Sequence, residues 1–471
     1  MSVGMSLDFR SMQLFLDHVD EALGAEQPSH ENLTLDELTS LWKASDFKPG
    51  SVVLLVFPNS KLLLKHVFAV LLAGYVPALV APSTPISRLN DIANNFNAKA
   101  IIRSKLFENG LDNFDYITQI DKHDVVVLNN SKELLTQPGE VILTTSGTSG
   151  FSSGCVFDFA ALIKNAEKHA EAINLSKYDT VLVNLPLFYS YAFVAQALAS
   201  YVMGSRLVIS SPPFSCSRFV SDVEKYQVTI SSITPLLVKE LLTNSVKIPS
   251  CLRTMTVGGD ALDVTYIESL LTRGFARELY LTYGITEAGP RVATLAAHKE
   301  PMRRFSSVGK LLPETYARLD TFAGSDNQGE LLIHSNTLAK KRLGNSSKPL
   351  FVTIDDRAWL KTGDIFTIDD DGYLYYKNRI SDFVVLNGEK VNLAEIKKIA
   401  ATKFRALSAK VNLIKSSDGL VGYDLDIIVQ KDFDKNIEDT KRDIRSGLKI
   451  FERPRNIEIS TFGEKNVERY K

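Results

Sequence analysis

Between Leu143 and Gly154 the chain reads LTTSGTSGFSSG, three glycines and seven serines or threonines in twelve residues. Gly147, Gly150 and Gly154 allow sharp turns, so backbone N–H groups and hydroxyls can point into one concavity that suits a phosphate. Apolar residues Val141 to Leu143 precede the stretch and Cys155 to Phe157 follow it, so it reads as a tight loop between two strands. No lysine follows any of these glycines and the loop does not run into a helix, which sets it apart from the G-x-x-x-x-G-K-[ST] phosphate loop. The residue types leave two readings open, a phosphate site and a solvent-exposed hairpin turn.

The elements around it are those of an α/β protein. Thr34 is placed to cap a short helix, Pro49-Gly50 turns into the continuous apolar strand Val52 to Phe57, a helix spans about Ser60 to Ala73, and a strand follows at Val76 to Val80. Strand, helix and strand joined by short turns make a βαβ unit, which implies a parallel sheet buried on both faces. The pattern returns at Ala100 to Ile102, after Asp124, from Val181 through the helix Ala192 to Val202 and the strand Arg206 to Ser210, and from Thr229 to Leu242. Short strands are expected at Thr254 to Val257 and Glu278 to Thr282. From about 306 to 378 the chain turns β-rich, with a hairpin around Asp369-Asp370-Asp371-Gly372. The remainder reads as an α+β block with strands at Phe383 to Leu386, Lys410 to Lys415 and Asp424 to Val429, a helix from near Leu393, and another that an Asp or Asn starts after Lys431.

Composition excludes several classes. The 471 residues are 45% hydrophobic and 23% charged, an ordinary globular balance that predicts two to four domains. Fifty-four Lys and Arg against fifty-five Asp and Glu give no global charge to draw nucleic acid or an anionic membrane. Cys155, Cys216 and Cys251 are too few and too scattered for a disulfide framework or a metal cluster, so a reducing, cytoplasmic setting is expected. The N-terminus lacks an apolar run of signal-peptide length, and Val67 to Pro82 is broken by Gly74 and Pro77, too short for a membrane span.

Seven separated stretches fall into an order that resembles the adenylate-forming superfamily of acyl- and aryl-CoA synthetases, peptide-synthetase adenylation domains and luciferases. They are LTTSGTSG at 143–150, VGGDAL at 257–262, LTYGITEAG at 281–289, SVGKLLP at 307–313, GELLI at 329–333, the run from Trp359 to Ile396, and the region of Lys465. The resemblance covers nearly the whole chain. It implies an N-terminal adenylation core over 1–378, its β-rich subdomain at about 306–378, and a small mobile C-terminal domain over 379–471 with a hinge near Ser381.

The resemblance also implies roles. Attack of a carboxylate on the α-phosphate of ATP gathers negative charge on phosphate oxygens, which fixed donors and Mg²⁺ must meet. Thr145, Ser146, Gly147, Thr148, Ser149 and Gly150 would form the phosphate loop, and Gly258, Gly259 and Asp260 the adenine-side loop. Tyr283 and Gly284 would lie at adenine, with Thr286 donating to the α-phosphate and Glu287 holding Mg²⁺. Asp364 would accept both ribose hydroxyls, with Arg379 also on the ribose. Lys465 would be the C-terminal lysine of adenylation, although a second alignment of the tail puts Asn466 there. Ser152-Ser153 stand where many relatives carry Pro-Lys, so the loop lacks a cation for the phosphates.

The acid side falls at PLFYSYAF, 186–193, where Tyr189, Tyr191 and Phe193 are candidate substrate residues, or else core aromatics at a helix start. No acidic neighbour answers an α-ammonium, so an aryl or acyl carboxylic acid is expected rather than an amino acid. The expected reaction is an ATP- and Mg²⁺-dependent acid:thiol ligation through acyl-AMP, the acceptor being CoA or the phosphopantetheine of a carrier protein. The missing loop lysine keeps a second class in view, a catalytically weak relative that binds nucleotide or acyl-adenylate as a sensor or scaffold. Luciferase-like oxygenation shares the same motifs, and no residue favours it.

Overall fold

The strand Val52–Val56 shows how the fold is assembled. All five of its residues are buried, and alternate side chains enter different cores: Val53 and Leu55 the larger cluster, Val52, Leu54 and Val56 a second one. A continuous apolar run is what a strand covered on both faces requires. The helix Lys61–Leu72 covers one face, the helix Ile86–Phe96 the other. Upstream, Thr34 and Glu37 form a capping box on the helix Leu35–Lys43, as its sequence predicts.

The computed structural model describes residues 8–22, 33–103, 111, 114–130, 132–145, 153–210, 213–321, 327–344, 349–386, 389–393, 396–397, 399–400, 406–416, 419–429 and 436–461. Two eight-stranded sheets dominate it. One runs Lys341–Leu343, Ser153–Asp158, Glu140–Thr145, Val76–Leu79, Val52–Val56, Ala98–Arg103, His123–Leu128, Phe114–Ile120, parallel at its centre and antiparallel at both margins. The other runs Val19–Glu21, Arg206–Ile209, Thr180–Val183, Ile230–Ile233, Thr254–Gly258, Glu278–Gly284, Arg291–Ala296, Lys310–Leu311; its first six strands are parallel, and Arg291–Ala296 pairs antiparallel with both of its neighbours. Both sheets are mixed, within the parallel and mixed sheets expected of the N-terminal part; neighbours close in sequence, such as Glu278–Gly284 and Arg291–Ala296, pair antiparallel without a crossover helix.

A third, five-stranded antiparallel sheet is built from Thr315–Thr321, Gly329–Ser335, Phe351–Ile354, Arg357–Ile368 and Leu374–Arg379. The Asp369–Gly372 turn joins its last two strands as a hairpin. The segment from 306 to 378 is not self-contained: Lys341–Leu343 leaves it to pair with Ser153–Asp158 of the first sheet. Beyond Leu386 a smaller cluster closes around Tyr423, Leu425, Ile427 and Ile444, where Ser408–Ser416, Gly419–Val429 and Ile457–Thr461 form a three-stranded sheet beside the helix Ile437–Ser446. Asn436 caps that helix with its side chain. The architecture is mixed α/β, a large N-terminal sheet assembly followed by a small C-terminal α+β part, and Lys239 Nζ links the two by donating to the Leu407 carbonyl at 3.1 Å. Among the described residues no helix is long and apolar enough to cross a membrane.

The core buries histidines that water would protonate. His66 is fully buried, stacked on Phe57 with Trp42 Nε1 donating to its Nδ1 at 3.2 Å, and His123 and Lys65 add unfavourable charge. Burial pulls its pKa down to about 3. Because the folded value lies below the unfolded one, His66 contributes fully above about pH 6.5, and the contribution drains away as pH falls toward 3. Urea denaturation should show a loss of about 2 kcal/mol from this residue between pH 6.5 and 5. His66→Gln should remove that increment of pH dependence; identical pH profiles for the two chains would contradict the assignment.

Candidate active site

Open α/β sheets bind ligands in the crevice outside the carboxyl ends of their parallel strands. In the second sheet the ends of Thr180–Val183, Ile230–Ile233, Thr254–Gly258 and Glu278–Gly284 lie side by side. Buried polar atoms collect there without partners among the described residues: Asn184 Nδ2 just past the first of these strands and Thr234 Oγ1 just past the second. Groups of this kind cost stability unless something completes their hydrogen bonding.

Gly258 and Gly284 end the other two strands. A Cβ on Gly258 would stand 2.4 Å from Thr282 Oγ1 and 3.3 Å from Tyr191 Cζ; one on Gly284 would stand 2.3 Å from the Pro290 carbonyl oxygen. Both glycines therefore permit close approach of backbone to side chain at the rim. Gly259 turns the chain at φ +95°, and the exposed Asp260 accepts from the Ala261 N–H at 2.8 Å.

Three residues predicted for nucleotide contact meet in one chain of interactions. Asp364 is 1% exposed; its Oδ2 accepts from the Tyr283 hydroxyl at 2.7 Å, and its Oδ1 pairs with Arg379 Nε at 2.9 Å. Tyr283 comes from the second sheet, Asp364 and Arg379 from adjoining strands of the third. Burial raises the Asp364 carboxyl above its ordinary value while Arg379 and the Tyr283 hydroxyl pull it back. Burial, with the Asp364 charge beside it, drives the Tyr283 phenol well above its own. The Tyr283 ring packs edge-on against Phe366, centroids 4.8 Å apart. Arg379 N donates to Asp382, which also accepts from Lys397 Nζ, both at 3.0 Å, and exposed Ser381 lies in the single turn Ile380–Asp382 between them.

Thr286 and Glu287 occupy a 3-10 turn directly after Tyr283-Gly284. Thr286 Oγ1 shares a 2.9 Å hydrogen bond with Ser190 Oγ, which joins the turn to the segment of Tyr189 and Tyr191. Glu287 Oε1 accepts from Arg342 Nη2 at 2.6 Å, while its other oxygen makes no hydrogen bond among the described residues. A hard cation could take that second oxygen together with ligand phosphates, so the donor set fits Mg²⁺. Thr145 ends its strand with its hydroxyl 2.6 Å from Ser153 Oγ. Ser146, Gly147, Thr148, Ser149, Gly150 and Lys465 lie outside the described residues.

Of the residues expected to meet the acid, half-buried Tyr191 bonds through its hydroxyl to Thr256 Oγ1 at 2.9 Å, and Tyr189 lies against Phe188. Phe193 is different. It is 0% exposed, within a π-helical stretch Phe193–Leu198 and the main hydrophobic cluster, where it packs rather than facing open space. The expected helix Ala192 to Val202 accordingly changes pitch midway.

Ser190, Arg291 and Arg342 were not singled out by residue type. Ser190 sits inside the PLFYSYAF stretch between more conspicuous aromatics, and the two arginines become visible only when strand pairing sets them beside Gly284 and Glu287.

Residues 36–341 match the family model for AMP-binding enzyme, well over half of the chain. The chain belongs to the AMP-binding enzyme family. Among curated members, 4-coumarate–CoA ligase 2 of Nicotiana tabacum is 26% identical over 393 residues, 75% of this chain and 70% of that protein. The 2-succinylbenzoate–CoA ligase of Bacillus pumilus (strain SAFR-032) is 24% identical over 390 residues, 80% of this chain and 78% of that one. Among solved structures of similar fold, o-succinylbenzoate CoA synthetase from Bacillus subtilis with its acyl-adenylate intermediate aligns with a TM-score of 0.71 at 18% identity, covering 95% of this chain and 94% of that chain. The anthranilate CoA ligase in complex with anthranoyl-AMP aligns at 0.70 with 16% identity over 98% of this chain and 95% of that chain. As an AMP-binding enzyme, the protein sits in the adenylate-forming superfamily that its motifs resemble.

Removing the Tyr283 hydroxyl strands a buried carboxylate oxygen, so Tyr283→Phe should cost about 1–3 kcal/mol in equilibrium denaturation. An unchanged unfolding midpoint would show that the Tyr283–Asp364 bond contributes nothing to holding the two sheets together.

Proposed function

We propose that this chain activates an aryl or acyl carboxylic acid with ATP, forming acyl-AMP and pyrophosphate, and then transfers the acyl group to a pantetheine thiol with release of AMP. The observation that carries this reading is the buried Asp364 carboxylate between Tyr283 and Arg379, beside Thr286 and Glu287 at the strand ends. Membership of the AMP-binding family and the CoA-ligase names of its relatives support the same chemistry.

In this reading Asp364 and Arg379 hold the ribose, a task suited to an acceptor with two oxygens and a cation that keeps it ionised. Tyr283, Gly258, Gly259 and Asp260 frame the adenine. Thr286, steadied by Ser190, donates to the α-phosphate as charge gathers on it. Thr145 and the loop through Gly150 receive the departing phosphates. Glu287, oriented by Arg342, holds Mg²⁺, whose charge offsets that of the triphosphate. Lys465 delivers a further cation from the tail. The C-terminal part, taken from 379 onward and pivoting near Ser381, turns between the two half-reactions. Tyr189 and Tyr191 line the acid side. CoA is the acceptor we favour, a carrier-protein phosphopantetheine being the other, and the cytoplasm is the setting in which ATP and free CoA both occur.

Incubation of the protein with ATP, Mg²⁺, CoA and a panel of aromatic, cinnamic and aliphatic acids should yield AMP, pyrophosphate and acyl-CoA in equal amounts for one acid class. Release of ADP, or thioester formed without AMP, would refute the mechanism. Lys465→Ala should slow adenylation about 100-fold while sparing thioester formation from supplied acyl-AMP; full adenylation in that variant would remove Lys465 from the site.

A further inference from the structure

Arg291 carries a charge that the reaction described above does not use. It opens the strand after the cis Gly289–Pro290 bond and pairs across the sheet with Gly284. The residue is 3% exposed, and neither Nε nor Nη2 has a hydrogen-bond partner among the described residues. No carboxylate among them forms an ion pair with it either. The guanidinium lies over the Tyr191 ring, 4.8 Å from the centroid, and Nη1 comes within 3.4 Å of where a Cβ on Gly284 would stand. Any side chain at 284 would crowd it.

Its backbone is clasped from the other side. Asn165 Oδ1 accepts from Arg291 N at 2.9 Å, and Asn165 Nδ2 donates to the Arg291 carbonyl at 2.9 Å. One turn further along the same helix stands His169, wholly buried, with neither ring nitrogen partnered among the described residues. Burial pulls the Arg291 guanidinium down to about 10 and holds His169 well below its ordinary value, with the Arg291 charge adding to the latter. A guanidinium taken out of water without an anion destabilises the fold, and Tyr191 alone offsets little of that cost. The cation is therefore placed for a ligand, next to a residue of the acid side and at the strand end that leads into Thr286.

We propose that Arg291 determines acid specificity: the acid carries a second carboxylate, remote from the one joined to AMP, which pairs with the Arg291 guanidinium beside Tyr191. This deepens the adenylation reading and rests on it. Guanidinium and carboxylate match as a planar, charge-assisted pair, and a site with such a donor rejects an acid that leaves it empty.

The test is calorimetric binding of two non-hydrolysable acyl-sulfamoyl adenosines that differ only in a terminal carboxylate on the acyl chain, so catalysis is not needed. The unaltered chain should bind the carboxylate-bearing analogue about 100-fold more tightly. Arg291→Met should abolish that preference by weakening this analogue alone, and Arg291→Lys should keep part of it. Equal affinities in the unaltered chain would overturn the inference while leaving adenylation intact. Equal weakening of both analogues by Arg291→Met would also overturn it, assigning the cation to the shared adenylate. Binding of neither analogue would overturn both the inference and the adenylation reading. Should Arg291→Met fail to fold, the preference of the unaltered chain and Arg291→Lys decide.

Discussion

A carboxylate excluded from water is the constraint on which this structure turns. Asp364 would be driven to its neutral form by burial alone, and Arg379 and the Tyr283 hydroxyl oppose that tendency from two directions. The arrangement fastens the end of the second parallel sheet to the antiparallel sheet that follows. The strand paired with that of Asp364, Leu374–Arg379, ends at Arg379, immediately before the turn Ile380–Asp382. One interaction thus couples the rim of the second sheet to the position where the chain leaves the third.

The rest of the site depends on how closely backbones approach one another around that carboxylate. Gly258 and Gly284 leave space that Thr282, Tyr191, the Pro290 carbonyl and the Arg291 guanidinium fill. Parallel strands deliver their carboxyl ends to one edge: Asn184 and Thr234 follow two of them, Thr282 and Tyr283 stand on a third, and the fourth ends at Gly258. In the first sheet alternate residues of Val52–Val56 enter different cores, so a one-residue shift of that strand would exchange its side chains between them.

Much of this was legible in the sequence because it depends on local pattern. The unbroken run Val52–Val56 announces a doubly covered strand, Thr34 a capped helix, and the Asp369–Gly372 cluster a hairpin. Ordered motifs bring Tyr283, Asp364 and Arg379 to notice although 81 residues separate the first two. Long-range pairing is where the reading stopped. Strand Lys341–Leu343 carries no sign that it crosses to Ser153–Asp158, so Arg342 beside Glu287 was invisible. Phe193 has the composition of a pocket aromatic but is spent on the core, because a helix start looks the same whichever face it buries. Arg291 in Gly-Pro-Arg reads as a surface arginine until the sheet closes over it.

The central claim is that one site, built at these strand ends, joins a carboxylate to AMP before any thiol is involved. Exchange of labelled pyrophosphate into ATP, run with Mg²⁺ and a panel of carboxylic acids but without CoA, tests that order of events directly. The account predicts exchange that requires an acid and is confined to one acid class. Absence of exchange with every acid, in protein shown to bind ATP, or exchange that begins only when CoA is added, would contradict it.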